Sequence, residues 1–346
     1  MGTWSGYKLT RLRREPQLRK VGAKLIRKSA KDPYSRYVRV SLLCCALLLL
    51  LSSWLQAQTA SPNQEPAETL ARARGYLDHG RFADADKELR DYLTDRPLDV
   101  DARYLLAFAL FREDKPADSL KEYTEAARQR PPRAADLKAV ALDYVLLNDY
   151  ADAEHWIRDA LSMDANDAEA WYEAGRIEYT LNYFRPALES FQRSLQLDPA
   201  SVKAQNNLGL TLEGLNRVDD AIAAYRKALA MQAGSSHPSE QPMLNLATVL
   251  IDRNQFGEAL SLLQQAAEIA PDDWKILAQL GRLYTEEGDL KAARAVLQRA
   301  VSIEPQKASL HFRLGQVYKK SGESEKAQAE FALTQKLLGT SASSSK

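Results

Sequence analysis

Small residues recur in this chain at intervals of 34, and that interval constrains the fold more than any other feature. Ala85, Ala153, Ala187 and Ala221 stand at multiples of 34 from one another, as do Ala73, Ala141, Gly175 and Gly209. Five units run without a gap over 66–99, 100–133, 134–167, 168–201 and 202–235. Four residues, 236–239, are inserted, and three further units follow at 240–273, 274–307 and 308–341, with a tail at 342–346. A period of this length marks stacked supersecondary units, each burying its apolar face only against its neighbours. Nothing within 66–341 is left over for a second domain.

Two columns of the repeat carry the packing logic. The eighth position of every unit is small: Ala73, Ala107, Ala141, Gly175, Gly209, Ala247, Gly281 and Gly315. The twentieth is small as well: Ala85, Ser119, Ala153, Ala187, Ala221, Ala259, Ala293 and Ala327. Two antiparallel helices can cross closely only where no bulky side chain intervenes, and a large knob four positions later, such as Ile157, Phe191 or Tyr225, fills the space that remains. Turns are expected at Leu181-Asn182-Tyr183, Gly257 and Glu287-Gly288-Asp289, with Pro186 in a first helical turn. Pro97, Pro131, Pro199, Pro271 and Pro305 end five of the second helices, whereas Ala165, Ala233 and Gly339 depart from that pattern. The last helix is expected to stop at Gly339-Thr340-Ser341, leaving the end of the array without an additional solvating helix.

In period and pattern the chain resembles the tetratricopeptide repeat family over residues 66–341. The clearest unit is AEAWYEAGRIEYTLNYFRPALESFQRSLQLDPA, where Trp171, Gly175, Ala187, Phe191 and Pro199 fall on the family's Trp, Gly, Ala, aromatic and Pro positions. The resemblance implies an all-α, right-handed solenoid of about eight helix-turn-helix repeats, with a concave groove lined by positions 2, 5, 9, 12 and 13 of each first helix. Those positions nominate Tyr104, Phe108 and Phe111 in the second unit, Leu142 in the third, Tyr172, Arg176 and Tyr179 in the fourth, and Asn206 in the fifth. Tyr104 and Phe108 have packing against adjacent helices as their competing role. Lys275, Arg282, Thr285, Glu286, Gln316, Lys319 and Lys320 make the far end polar. No unit carries the family's Lys and Asn at positions five and nine that would clamp a chaperone's C-terminus. Asn207 and Asn245, at position six, could bond a ligand backbone or a neighbouring helix.

The residues before the array have a different character. Residues 1–39 hold 12 Lys and Arg against only Glu15 and Asp32, although the whole chain has a net charge of +1. They precede the ten-residue apolar run LLCCALLLLL, and residues 40–57 read as a signal peptide or an uncleaved anchor. The run is shorter than the ~20 residues of a spanning helix, which favours a signal, with cleavage after Ala57 and a linker at 58–65. The basic flank predicts that 1–39 stay cytoplasmic and everything after crosses. So long an n-region also suggests initiation at Val38. Small residues directly before the cysteine, as lipidation requires, are lacking because Leu42 and Leu43 precede Cys44.

Catalytic signatures are wanting: there is no P-loop, HExxH or GxSxG, and His79, His155, His237 and His311 lie far apart in sequence. No metal, cofactor or nucleic acid is expected. The sequence therefore predicts a non-catalytic scaffold that binds a peptide or helix of a partner protein in the groove, outside the cytoplasm, in cell-envelope assembly. The alternatives are a structural protein self-associating end to end through the last repeat, or an accessory subunit of an envelope enzyme. An export signal joined to such an array is also the general make-up of bacterial pilus-biogenesis repeat proteins.

Overall fold

The computed structural model describes residues 64–343; the basic segment, the apolar run, the cleavage site and residues 344–346 lie outside it. Contacts divide the chain into 1–75, of which only the start of the first helix is described, and 76–346, which holds the remaining helices. All regular structure among the described residues is helical. The sixteen helices begin with α1 (Gln64–Asp78) and α2 (Phe82–Asp95) and go on in pairs, α3 (Val100–Arg112) with α4 (Pro116–Ala127), α5 (Ala134–Leu146) with α6 (Tyr150–Met163), and α7 (Ala168–Thr180) with α8 (Phe184–Leu197). The series continues with α9 (Val202–Gly214) and α10 (Val218–Met231), α11 (Gln241–Asp252) and α12 (Phe256–Ile269), α13 (Trp274–Glu287) and α14 (Leu290–Ile303), and α15 (Ala308–Lys320) and α16 (Ser324–Ser343). From α3 onward each helix packs on the one before it, and the first helices of neighbouring pairs touch along the row α7, α9, α11, α13, α15. This is a solenoid.

The two small columns do what close approach requires. Ala107, Ala141 and Ala247 at the eighth position, and Ala85, Ala153, Ala187 and Ala221 at the twentieth, are wholly buried. Where the eighth residue is glycine, the knob of the same repeat lies directly over it. A Cβ added at Gly175 would stand 2.7 Å from the Phe191 ring, and one at Gly209 only 2.4 Å from the Tyr225 ring. The space a side chain would need is filled by the partner ring.

Each first helix ends in the same way. The fifteenth residue of every repeat has a left-handed backbone: Gly80, Asp114, Asn148, Asn182, Asn216, Asn254, Gly288 and Gly322, with φ between 57° and 85°. In seven of the eight the following N–H folds back onto the carbonyl five residues earlier, as in Tyr183 to Glu178 at 2.8 Å and Arg217 to Leu212 at 2.8 Å, which satisfies orphaned carbonyls of the last turn, whereas after Gly288 the Leu290 N–H bonds the Gly288 carbonyl at 2.9 Å. Asp99, Asp167, Ser201 and Asp273 then cap the starts of α3, α7, α9 and α13 with their side-chain oxygens.

Two expectations are corrected. Gly257 is not the turn of its repeat but lies in the first turn of α12, and Asn254 carries the left-handed residue instead. Gly339 does not end the last helix. It keeps right-handed backbone, so α16 runs through it to Ser343, and no proline follows to stop it. The departure of Ala165 from the proline pattern does not lengthen α6, which ends at Met163 with the Asp164 N–H bonded to the Ala160 carbonyl. Among the described residues no helix is long and apolar enough to cross a membrane.

Candidate functional site

The exposed faces of α7, α9, α11, α13 and α15 form a row of three cavities that share lining residues. The first, about 150 Å³, is bounded by Arg176, Tyr179, Phe191, Asn207 and Leu210. Asn207 and Leu210 also bound the second, about 470 Å³, together with Tyr172, Lys203, Asn206 and Asn245. Asn245 in turn belongs to the third, about 300 Å³, between α11, α13 and α15. The three lie in a row across five repeats, each sharing lining residues with the next.

Its floor is built from amides. Asn245 Nδ2 donates to Asn206 Oδ1 at 2.9 Å, and Asn207 Nδ2 donates to the Tyr172 hydroxyl at 3.1 Å. Both position-six asparagines thus bond neighbouring repeats, and they fix the floor from which their remaining lone pairs and protons face the cavity. Tyr172 rests against Phe191, with ring centroids 6.0 Å apart, and Lys203 Nζ stands 4.3 Å from its ring centroid. Burial raises the Tyr172 and Tyr179 hydroxyls above the ordinary tyrosine value, so both are neutral donors at physiological pH.

One wall comes from the inserted residues. Gln232, at the end of α10, grips the backbone of Ser239 from both sides: its Nε2 donates to the Ser239 carbonyl at 2.8 Å, and its Oε1 accepts from the Ser239 N–H at 3.0 Å. That clasp holds Ser235, His237 and Ser239 at the rim of the 470 Å³ cavity. The sequence marked the insertion as a break in period; its effect is to give this one junction a rim the others lack.

The nominated residues divide into two groups. Tyr172, Asn206, Arg176 and Tyr179 come together along the two connected cavities. Arg176 is exposed and paired with Glu173 at 2.8 Å, while Asn206 is only 7% exposed, a floor group that needs a ligand to reach in. The second-repeat residues belong to another place. Tyr104 is buried, 3% exposed, and its hydroxyl donates to the Arg130 carbonyl at 2.7 Å. It is a packing residue, a correction forced by the loop after α4 closing over it. Phe108 and Phe111 are half-buried against the same small core, 6.1 Å apart, with the Arg112 guanidinium 4.3 Å from the Phe82 ring and 5.9 Å from Phe108. Leu142 is half-buried on α5 and lines none of the three cavities. Sequence reasoning passed over Lys203, although it stands at groove position two, and over His237, Gln279 and Arg313, which lie in the insertion and at position six, outside the five groove positions.

Tetratricopeptide repeat models match residues 70–134 and 140–182, 168–201, 201–272, and 250–306 and 284–337, together nearly the whole array. Among curated proteins, the tetratricopeptide repeat protein 8 of Caenorhabditis elegans is 26% identical over 229 residues, 64% of this chain but only 43% of that protein. A repeat-containing protein of Methanocaldococcus jannaschii is 30% identical over 80 residues, 23% of this chain and 14% of its own length. The chain thus spans less than half the length of these relatives. Among solved structures, PilW, described as a widely conserved type IV pilus biogenesis factor, is 27% identical with a TM-score of 0.54, covering 58% of this chain and 92% of PilW. A repeat protein of Parabacteroides merdae superposes with a TM-score of 0.59 at 16% identity, over 74% of this chain and 99% of that one, a likeness of fold alone. With the period, the two small columns and these matches in agreement, the chain belongs to the tetratricopeptide repeat family.

Proposed function

We propose that this protein is a non-catalytic scaffold that holds a segment of a partner protein along the first-helix row of repeats four to eight, and that it works outside the cytoplasm in envelope assembly. The observation that carries the reading is the row of three cavities, which share Asn207, Leu210 and Asn245 in their linings and are floored by side-chain amides. Apolar walls from Leu210, Phe191 and Tyr172 accept side chains, and amides accept the backbone of an extended segment. The basic segment and apolar run before the array support export, and the likeness to PilW supports an envelope role. The partner segment is peptide rather than nucleic acid, since the array beyond residue 39 carries more acidic than basic residues.

Photo-reactive residues placed at Leu210 and Asn245 should crosslink a partner segment in cells, while one at the exposed Lys227 on α10 should not. Equal capture from all three positions would place binding elsewhere. A reporter active only outside the cytoplasm, fused after Ser341, should give signal; a silent reporter there would end the export reading.

A further inference from the structure

The third cavity, between α11, α13 and α15, is chemically unlike the other two. Its walls include Thr248, Trp274, Gln279, Ser309 and Arg313, with Lys275 at its edge. Arg313 is half-buried, and no ion pair or hydrogen bond of its guanidinium is found among the described residues. Neighbouring arginines are matched: Arg282 to Asp252 at 2.5 Å, Arg294 to Glu323 at 3.0 Å, Arg299 to Asp272 at 2.6 Å. Burial and the nearby Arg282 charge both work against Arg313, holding its guanidinium below its ordinary value. A cation withdrawn from water beside a like charge lacks the partner that usually accompanies such burial. A second group is also incomplete: Gln279 Oε1 is buried without a donor.

From this pair of unmet groups we infer that the cavity takes the side-chain carboxylate of an Asp or Glu within the bound segment. The inference rests on the peptide-binding reading above. The planar Arg313 fork suits a carboxylate in two parallel hydrogen bonds, and a turn of the Gln279 side chain toward the cavity brings its unmet Oε1 to the adjacent peptide N–H of the same segment. Charge complementarity points the same way. Beyond residue 39 the chain has an acidic excess, yet the groove side of α13 and α15 holds Lys275, Arg282, Arg313, Lys319 and Lys320 against Glu286, with Arg282 matched by Asp252 of α11. An acidic segment is attracted to this end and repelled by most other surfaces. The arrangement differs from the chaperone-tail clamp, because positions five and nine hold Leu244 and Thr248 in α11, and Ala278 and Arg282 in α13. The occupant is therefore an internal acidic side chain, not a chain terminus.

The test displays random twelve-residue peptides, flanked on both sides so that neither end is free, to the full chain. Enriched sequences should carry Asp or Glu at a fixed spacing from an apolar anchor. For a synthetic peptide of the enriched sequence, replacing that acid by its amide should weaken binding by about tenfold or more. Against Arg313→Gln the acid and the amide should bind alike, while truncating the apolar anchor still costs what it does with the parent chain. Lys275→Gln, a rim change that leaves packing alone, should reduce the preference a few-fold and covers the case in which Arg313→Gln does not fold. Enrichment without an acid, an undiminished preference in both variants, or a preference only for a free C-terminal carboxylate would overturn the inference while leaving the groove as a peptide site. No enriched sequence at all would remove both.

Discussion

At the scale of single residues, the glycines separate by what lies over them. The Tyr225 ring above Gly209 is wholly buried and its hydroxyl is tied to Glu213, so it has nowhere to retreat from a new methyl. Gly209→Ala should cost about 1 to 3 kcal/mol. Gly257, helical and with nothing within 4 Å of an added Cβ, should behave oppositely, Gly257→Ala gaining about half a kcal/mol. Melting of the two variants side by side measures this, and equal effects would contradict the packing. Asp143 is a second residue-scale case. It is wholly buried, its Oδ1 has no partner, and burial pushes its carboxyl to about 7 despite the 2.6 Å contact with the Ser119 hydroxyl. Ser119 also lies 2.9 Å from the Ala107 carbonyl and has one proton for two acceptors. A protonated Asp143 completes the set by donating to Ser119 Oγ. The folded chain then keeps a proton that the unfolded chain releases near pH 4, so stability falls as pH rises from about 4 to about 7 and is flat above. Asp143→Asn should be the more stable protein at pH 8 by about 2 to 4 kcal/mol, with the gap closing toward pH 4. Urea denaturation across that range would refute the assignment if the gap widened on acidification.

Elements begin and end by rules that the sequence displays unevenly. The hairpin crossings were legible because close approach tolerates only small residues, and that demand recurs at a fixed spacing in all eight units. The turn was equally present in the fifteenth column, which holds only Gly, Asn or Asp, but Gly257 drew attention because glycine is the commoner left-handed residue. Asn182, at φ 60°, puts that rule to the test. Asn182→Gly should hold or raise stability by a few tenths of a kcal/mol, and Asn182→Val should lower it by roughly 1 to 2 kcal/mol, since a β-branched side chain clashes in that conformation. Chemical denaturation of both variants decides it, and a neutral valine would mean the turn can re-form another way. The groove was only partly legible. Tyr172 and Tyr104 occupy the same column, and only the path of the chain after α4, whose Arg130 carbonyl takes the Tyr104 hydroxyl, separates lining from core. Arg313 was missed for the converse reason: its lack of a counter-ion depends on where α13 and α11 place their acids.

For the molecule as a whole, the row of cavities sets a length for what it binds. Consecutive first helices touch from α7 to α15. Packed helices lie about 9 Å apart, so four steps span roughly 36 Å, or about eleven residues of extended chain at about 3.3 Å each. A segment engaging Tyr172 and Leu210 at one end and Arg313 at the other must cover that distance. Nested truncations of a captured segment, titrated calorimetrically, should therefore lose affinity in two steps, one as each end is removed, with the full value needing about eleven residues. A helical segment, at about 1.5 Å per residue, would need roughly twice as many. Asn245, shared by the two larger cavities, gives an independent reading of the same point. Asn245→Leu places a branched side chain at the junction, and should weaken the long segment strongly while leaving short pieces confined to either end nearly unaffected. Full affinity from six residues, or an equal effect of Asn245→Leu on short and long segments, would mean that the cavities act separately and that their standing in a row has no part in binding.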